Sequence, residues 1–462
     1  MTERLLRMPS AADLSTLLGL ALPIVGIQVG LMLMGVVDTV LVGHVSATAL
    51  AAVALGNLYF LALMIFGMGA LLALDPLVAQ GVGAGDHDQV VLAVQRALVI
   101  AVGLAALASL LCLPARGVLQ LLHQPRDVIP AAAGFVHASI PGAFPFLAFI
   151  VLRQSLQAMK RVAPIVVTIV LANLVNVGLN VVLVFGKLGL PALGPIGSGI
   201  ASTVSRWFML ACLLVLSWRE IRLVLAPPRR AALEPAALAR TVALGLPIGV
   251  QMSLEFGVFA VVALLMGGLG TSAMAGHQIA INLASLTFMV PLGVSSAAAV
   301  LVGQAVGRGD GDGVRRAARA ALLVGAGFMA LSGAAFVSAP GTLARLYTAD
   351  GAVRVVASAL IPIAGVFQIF DGLQVVATGL LRGAGDTRTP MVVNVLGFWL
   401  LGFPVSLWLG FRAGFGPVGL WWGLVAGLVA VAAFLVLRVR TRLSGAIRRV
   451  VVDGERTGVS SA

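Results

Sequence analysis

The sequence has little charge and little from which to build a redox or metal centre. Of its 462 residues, 10% are charged, against about 25% in an ordinary soluble domain. Only two are cysteines, Cys112 and Cys212, and both sit within apolar runs, which excludes a disulfide framework and a cysteine-based metal site. His44, His123, His137 and His277 show no paired metal spacing and read as structural. There is no G-x-x-x-x-G-K-S/T loop, so nothing in the chain points to direct ATP drive. The short loops hold no cluster of catalytic residues, so the chain does not read as an enzyme and needs no cofactor. The first apolar segment, from Ser15 to Gly43, is too long for a signal-peptide core and no A-x-A site follows it; it is expected to stay as a membrane anchor.

What is present is apolar surface. The composition is 60% hydrophobic with a mean hydropathy of +1.08, and apolar segments near or above the ~20 residues that cross a ~30 Å hydrocarbon core recur along the whole length. A β-barrel would show alternating strands of about ten residues instead. The pattern predicts an all-α polytopic protein with twelve helices, near 15–43, 49–82, 90–113, 128–153, 163–186, 195–218, 237–268, 273–305, 316–339, 352–380, 389–411 and 416–438. Gly-, Pro- and Asp-rich breaks such as "GAGDHDQ", "GRGDGDG" and "GAGDTRTP" separate them. The longest polar connector, Ser217 to Pro235, falls mid-chain.

A net charge of +13 invites a nucleic-acid reading, but its distribution argues otherwise. An even number of helices leaves both termini on one side. That side takes 23 of the 30 basic residues, the other takes Arg116, Arg126, Lys187, Arg345, Arg354 and Arg412, and Arg206 lies inside a segment. The positive-inside rule therefore places both termini in the cytoplasm of a multi-pass protein of the cell inner membrane. No nucleic-acid partner is needed.

The two halves repeat. "LALPI" at 20–24 matches "LGLPI" at 244–248, and "AQGVGAGD" at 79–86 matches "GQAVGRGD" at 303–310, both at an offset of 224; "LGPIG" at 193–197 recurs as "FGPVG" at 415–419. Six helices plus six make these parallel repeats about an axis along the membrane normal, as in secondary transporters with a site at the repeat interface. The expected organisation is an N-lobe over 1–220, a cytoplasmic linker over 221–236, and a C-lobe with a basic tail over 237–462, around a central cavity.

A carboxylate at the bilayer centre costs roughly 2.5–3.5 kcal/mol on insertion scales, so four acids need a reason: Asp38, Asp75, Glu255 and Asp371. Gln368, Asp371, Gln374 and Thr378 share one face of helix ten; Gln251 and Glu255 are four apart on helix seven, as are Gln278 and Asn282 on helix eight; Asn173, Asn176 and Asn180 line helix five. Glu255 and Asp371 are expected to share their segments with no cationic residue. Carboxylates and carboxamide oxygens suit a small cation, and a carboxylate alone can take a proton. Such a group can exchange H+ or Na+ as its access alternates. Interhelical hydrogen-bond glue is the alternative. Pro76 follows Asp75, so a capping role is open there, and Arg206 can snorkel or pair with any of these acids. Pro23 and Pro247 occupy equivalent positions in helices one and seven and are candidate hinges, since proline frees a carbonyl and bends a helix.

These stretches together resemble the multidrug and toxic compound extrusion (MATE) family, closest to its NorM-like branch. "LPIVGIQVGLMLMGVVDTVLVGHVSATALAA", "VAQGVGAGD", "GLPIGVQMSLEFGVF", "AMAGHQIAINLASLTFMVPLGVSSAAAVLVGQAVGRGD" and "FQIFDGLQVVATGLLRGAGDTRTP" carry the likeness over nearly the whole chain. The resemblance implies two six-helix lobes, a V-shaped cavity, and export of drugs, metabolites or small organic cations against inward H+ or Na+, by a monomer in membrane lipid. It implies that Asp38, Asn176 and Asn180 form the N-lobe coupling site and that Glu255 and Asp371 are the C-lobe acids, which would also be the metal ligands if coupling is to Na+. Asp75, Gln251, Gln278, Asn282, Phe367, Gln368 and Gln374 are secondary or substrate candidates. Two positions depart from the family pattern. NorM-like members commonly carry Tyr where Phe367 stands, and Phe367 offers no oxygen to a metal ion, so proton coupling gains. Bacterial members often carry Thr where Asp75 stands, and it adds a group that can titrate. The alternative within transport is a flippase for lipid-linked oligosaccharide, which would want a cationic cavity; the acids in the helices outnumber Arg206.

Overall fold

The computed structural model describes residues 8–445 and 447–452. Arg4, Arg7 and Arg456 of the charge tally and residues 453–462 of the basic tail lie outside the described residues. Among the described residues, twelve helices are long and apolar enough to cross a membrane: α1 (Ala11–Gly43), α2 (Ala47–Ala84), α3 (His87–Cys112), α4 (Ile129–Ala158), α5 (Ala163–Phe185), α6 (Gly194–Leu216), α7 (Pro235–Gly268), α8 (Thr271–Gly307), α9 (Gly311–Ser338), α10 (Gly351–Gly383), α11 (Arg388–Arg412) and α12 (Gly416–Ser444). Every end lies within six residues of its expected position. The chain is a multi-pass, all-helical membrane protein.

The extra turns matter where they carry charge. α4 runs past its expected end at 153 to Ala158 and α10 past 380 to Gly383. Arg153, expected near a membrane face, is instead 7% exposed inside α4. The extension of α10 also takes in Arg382, 11 residues from Asp371, while Arg354, 17 residues from Asp371, and Arg240 of α7 lie inside the expected ranges already. The expectation that no cation shares those helices is corrected: Arg240, Arg354 and Arg382 each lie within six residues of a helix end, Arg240 exposed and Arg382 buried.

The repeat is visible in the caps. Gly85 and Gly309 adopt φ of 69° and 70°, the left-handed conformation that glycine reaches at no steric cost. The next residue in each copy is an aspartate that closes the following helix. Asp86 Oδ1 accepts from Gln89 N at 2.9 Å, and Asp310 Oδ1 accepts from Gly313 N at 2.7 Å, satisfying N–H groups that the first turn leaves open.

By contacts the chain forms two compact units. One holds Gly26–Val82 and Asp86–Gly249; the other holds the chain up to Val25, Gly83–Gly85 and Val250–Val450. The core of the first joins Ile27 and Met34 of α1 to Phe149 and Leu152 of α4, Ile165 and Ile169 of α5, and Met209 and Leu213 of α6. In the second, α8 and α10 form the most extensive helix pair, and a set of edge-on rings links Phe259, Phe367, Phe398 and Trp421.

The connector expected over 221–236 begins within a short helix, Trp218–Leu225, and is fastened to α3. Gln95 Nε2 donates to the carbonyls of Val224, Leu225 and Pro227 at 3.2, 3.3 and 3.1 Å, and its Oε1 accepts from Arg229 N at 2.9 Å. Arg96 Nη2 reaches Ala231 O at 3.1 Å, and Arg229 pairs with Asp88 at 2.7 Å.

Candidate functional site

In the first unit, α1, α5 and α6 bring one carboxylate against three neutral donors. Asp38 is 8% exposed. Its Oδ1 accepts from Asn180 Nδ2 at 2.7 Å and Asn176 Nδ2 at 3.1 Å, and its Oδ2 accepts from the Ser202 hydroxyl at 2.6 Å. The three sequence candidates are thus together, and Ser202 joins them. Asn176 and Asn180 can both reach because four residues make about one helical turn; Asn180 Nδ2 also bonds Asn176 O at 3.0 Å. Asn173, expected on the same face, donates instead to Gly30 O and Ile169 O at 3.0 and 2.9 Å.

The chemistry follows from the donor set. In the observed orientation the two amides donate to Asp38 through their NH2 groups, whereas a hydroxyl can donate to the anion or accept from the protonated acid without turning the side chain over. Ser202 can therefore reverse its role as a proton comes and goes, leaving the carboxylate hydrogen-bonded in either state.

In the second unit, α7 and α10 bring Glu255 and Asp371 within electrostatic range of each other. Both are half-buried. Glu255 interacts with the side chains of Gln251, one turn before it, and Gln374 of α10. Gln374 Nε2 continues to Asn394 Oδ1 of α11 at 3.2 Å. Gln368 points to another set: its Oε1 accepts from Thr287 of α8 at 2.7 Å and its Nε2 donates to Ser332 of α9 at 3.0 Å. It ties three helices together. Phe367 is 2% exposed and packs edge-on against Phe259 and Trp421 at 6.0 and 5.8 Å between centroids.

Comparison with known proteins meets this arrangement with a family. The MatE family model matches residues 23–182 and 247–408, one stretch in each half. The chain belongs to the MATE family. It is similar to multidrug resistance protein MdtK of Yersinia enterocolitica, 37% identical over 435 residues that cover 92% of this chain and 94% of that protein. It is 34% identical over 432 residues, with the same coverages, to MdtK of Edwardsiella ictaluri. Its fold matches the crystal structure of the eukaryotic MATE transporter AtDTX14 with a TM-score of 0.85 at 23% identity, covering 93% of this chain and 96% of that one. It also matches the Vibrio cholerae MATE transporter VcmN in the bent form with a TM-score of 0.82 at 17% identity, covering 94% and 98%.

In this MATE chain the remaining candidates fall in different places. Asp75 opens the second half of α2, after a break at Leu72 and Ala73, and its Oδ1 accepts from Gln154 Nε2 of α4 at 2.8 Å. Arg153 lies within electrostatic range of Asp75, and its Nη1 donates to Gln28 Oε1 of α1 at 3.2 Å. Asp75 thus sits in a first turn, where a negative charge is favoured, and in a polar set of its own. Gln278 and Asn282 are exposed on α8 and do not join the hydrogen bonds around Asp38 or Gln368. Pro23 and Pro247 are carried inside continuous helices, and the division between compact units falls at Val25/Gly26 and Gly249/Val250, between the second and third residues beyond each. No group of three metal-ligating side chains occurs among the described residues.

Sequence reasoning missed Ser202, Gln154, Asn394, Ser332 and Gln95. One signal was present for Ser202: it lies four residues before Arg206 on the predicted sixth helix, so two polar groups shared a face.

Proposed function

We propose that the protein is a secondary antiporter of the bacterial inner membrane that exports small organic cations, drugs or metabolites in exchange for inward protons. The relatives that match over nine-tenths of its length are multidrug resistance proteins, which favours this reading over a flippase. Asp38, bonded by Asn176, Asn180 and Ser202, is the proton site of the first unit. Glu255 and Asp371, set by Gln251 and Gln374, are the coupling acids of the second and the groups that meet a cationic substrate. The observation that carries the reading is the Asp38 set, a buried carboxylate whose hydrogen-bonded partners are all neutral, one of them able to reverse direction.

Proton coupling is favoured over Na+ in the second unit because Phe367, packed between Phe259 and Trp421, supplies no oxygen there. Both termini lie in the cytoplasm, on the charge distribution, and the monomer in membrane lipid is the working form. Reconstitution tests this: the parent should move a fluorescent organic cation under an imposed pH gradient, and Asp38→Asn should abolish that flux. An Asp38→Asn protein that transports at the parent rate overturns the assignment.

A further inference from the structure

Arg206 is a cation inside a membrane helix whose partner the sequence leaves open, and the first unit gives it a built seat. Its guanidinium carbon stands 4.3 Å above the Phe60 ring and 5.5 Å from the Phe146 ring. The backbone of α4 yields space: a Cβ on Gly142 would meet Arg206 Cδ and Nη1 and Thr203 Oγ1, each at 3.1 Å. Nη1 is buried and has no hydrogen-bond partner among the described residues. A guanidinium held by ring faces keeps its charge uncompensated by any hydrogen-bonded anion. Arg206 lies one helical turn from Ser202, on the same face of α6, and Ser202 is bonded to Asp38 at 2.6 Å. The two charges are within electrostatic range.

We infer that Arg206 is the fixed counter-charge of Asp38, a positioning residue that sets the pH at which Asp38 gives up its proton without bonding it. This rests on Asp38 being the coupling acid. A direct ion pair would lock the carboxylate as an anion; a cation held one turn away favours the anion yet leaves the proton able to return. The other groups around the pair do not supply this charge. Cys112 of α3 is within electrostatic range of Arg206. Tyr59 of α2 donates to Leu111 O at 2.8 Å, and the His137 ring of α4 bonds Leu113 O at 3.0 Å. His44, beyond the end of α1, bonds Val40 O at 2.8 Å. α5 offers Asn176 and Asn180, both neutral.

The test reads the protonation of Asp38 directly and needs no transport. A carbodiimide modifies protonated buried carboxyls, so labelling of the Asp38 peptide in membranes is followed by mass spectrometry across pH. In Arg206→Gln and in Arg206→Met the labelling midpoint should move up by about 1 pH unit, Arg206→Lys should stay near the parent, and Phe60→Leu should lower thermal stability without moving the midpoint. The transport pH profile should move in the same direction. If both charge-removing variants label Asp38 with the parent's midpoint, Arg206 is only packing and the inference falls. If instead Asp38→Asn transports normally while the labelling shifts as expected, the coupling role of Asp38 fails and the electrostatic role of Arg206 stands.

Discussion

At the scale of single residues, the two acid sites differ in how charge is managed. Asp38 is surrounded by donors, and a hydrogen bond to a charged group is worth roughly 1.5–3 kcal/mol. Ser202→Ala should therefore cut efflux at neutral pH by about tenfold and shift its pH optimum upward, since one bond that favours the anion is gone; efflux assays in a pump-deficient host read both. Glu255 and Asp371 instead oppose each other, because like charges in one site disfavour simultaneous ionisation. Glu255→Gln should let Asp371 release its proton more easily, moving the alkaline limit of transport to lower pH in proteoliposomes; a shift to higher pH would contradict the pairing. Phe367 belongs to the core, so Phe367→Ala should cost about 3–5 kcal/mol and lower the melting temperature in detergent. Asp38, Asn176 and Asn180 stood out in the sequence because an acid and spaced carboxamides are rare in apolar helices, and their grouping came from the family resemblance. Ser202 was not, because a hydroxyl that can bond back to its own helix is unremarkable there.

At the scale of elements, α1 and α7 behave alike. In the first unit a Cβ on Gly69 of α2 would meet Gly249 Cα of α7 at 2.7 Å, and in the second a Cβ on Gly293 of α8 would meet Val25 Cγ2 of α1 at 2.5 Å. The contacts are repeat-equivalent: Gly293 is Gly69 plus 224, and Gly249 is Val25 plus 224. Each lies two residues beyond the helix proline, where backbones nearly touch and any larger side chain must push the helices apart. Gly249→Val should depress expression and melting temperature, whereas Gly103→Val, whose Cβ would meet nothing within 4 Å, should not. Pro23→Ala bears on the hinge: a transport rate and pH dependence equal to the parent would show that bending at that proline is not the coupling step. The sequence repeats predicted equivalent prolines, but not that the contacts divide inside α1 and α7. A helix reads as one apolar run whichever partners its two halves pack against.

At the scale of the whole molecule, the number and order of spans were legible because bilayer thickness sets a length that apolar runs either meet or fail. The linker was not. Its polar composition marked a connector but not its fastening: Gln95 of α3 holds four of its backbone groups, a long-range match with no local signature. The most direct test is uptake of a fluorescent organic cation into proteoliposomes under separately imposed Na+ and pH gradients, for the parent and for Asp371→Asn. Acid-coupled antiport predicts flux in the parent driven by the pH gradient and its loss in Asp371→Asn. Absence of flux under either gradient, or an Asp371→Asn protein that transports as well as the parent under both, would contradict it.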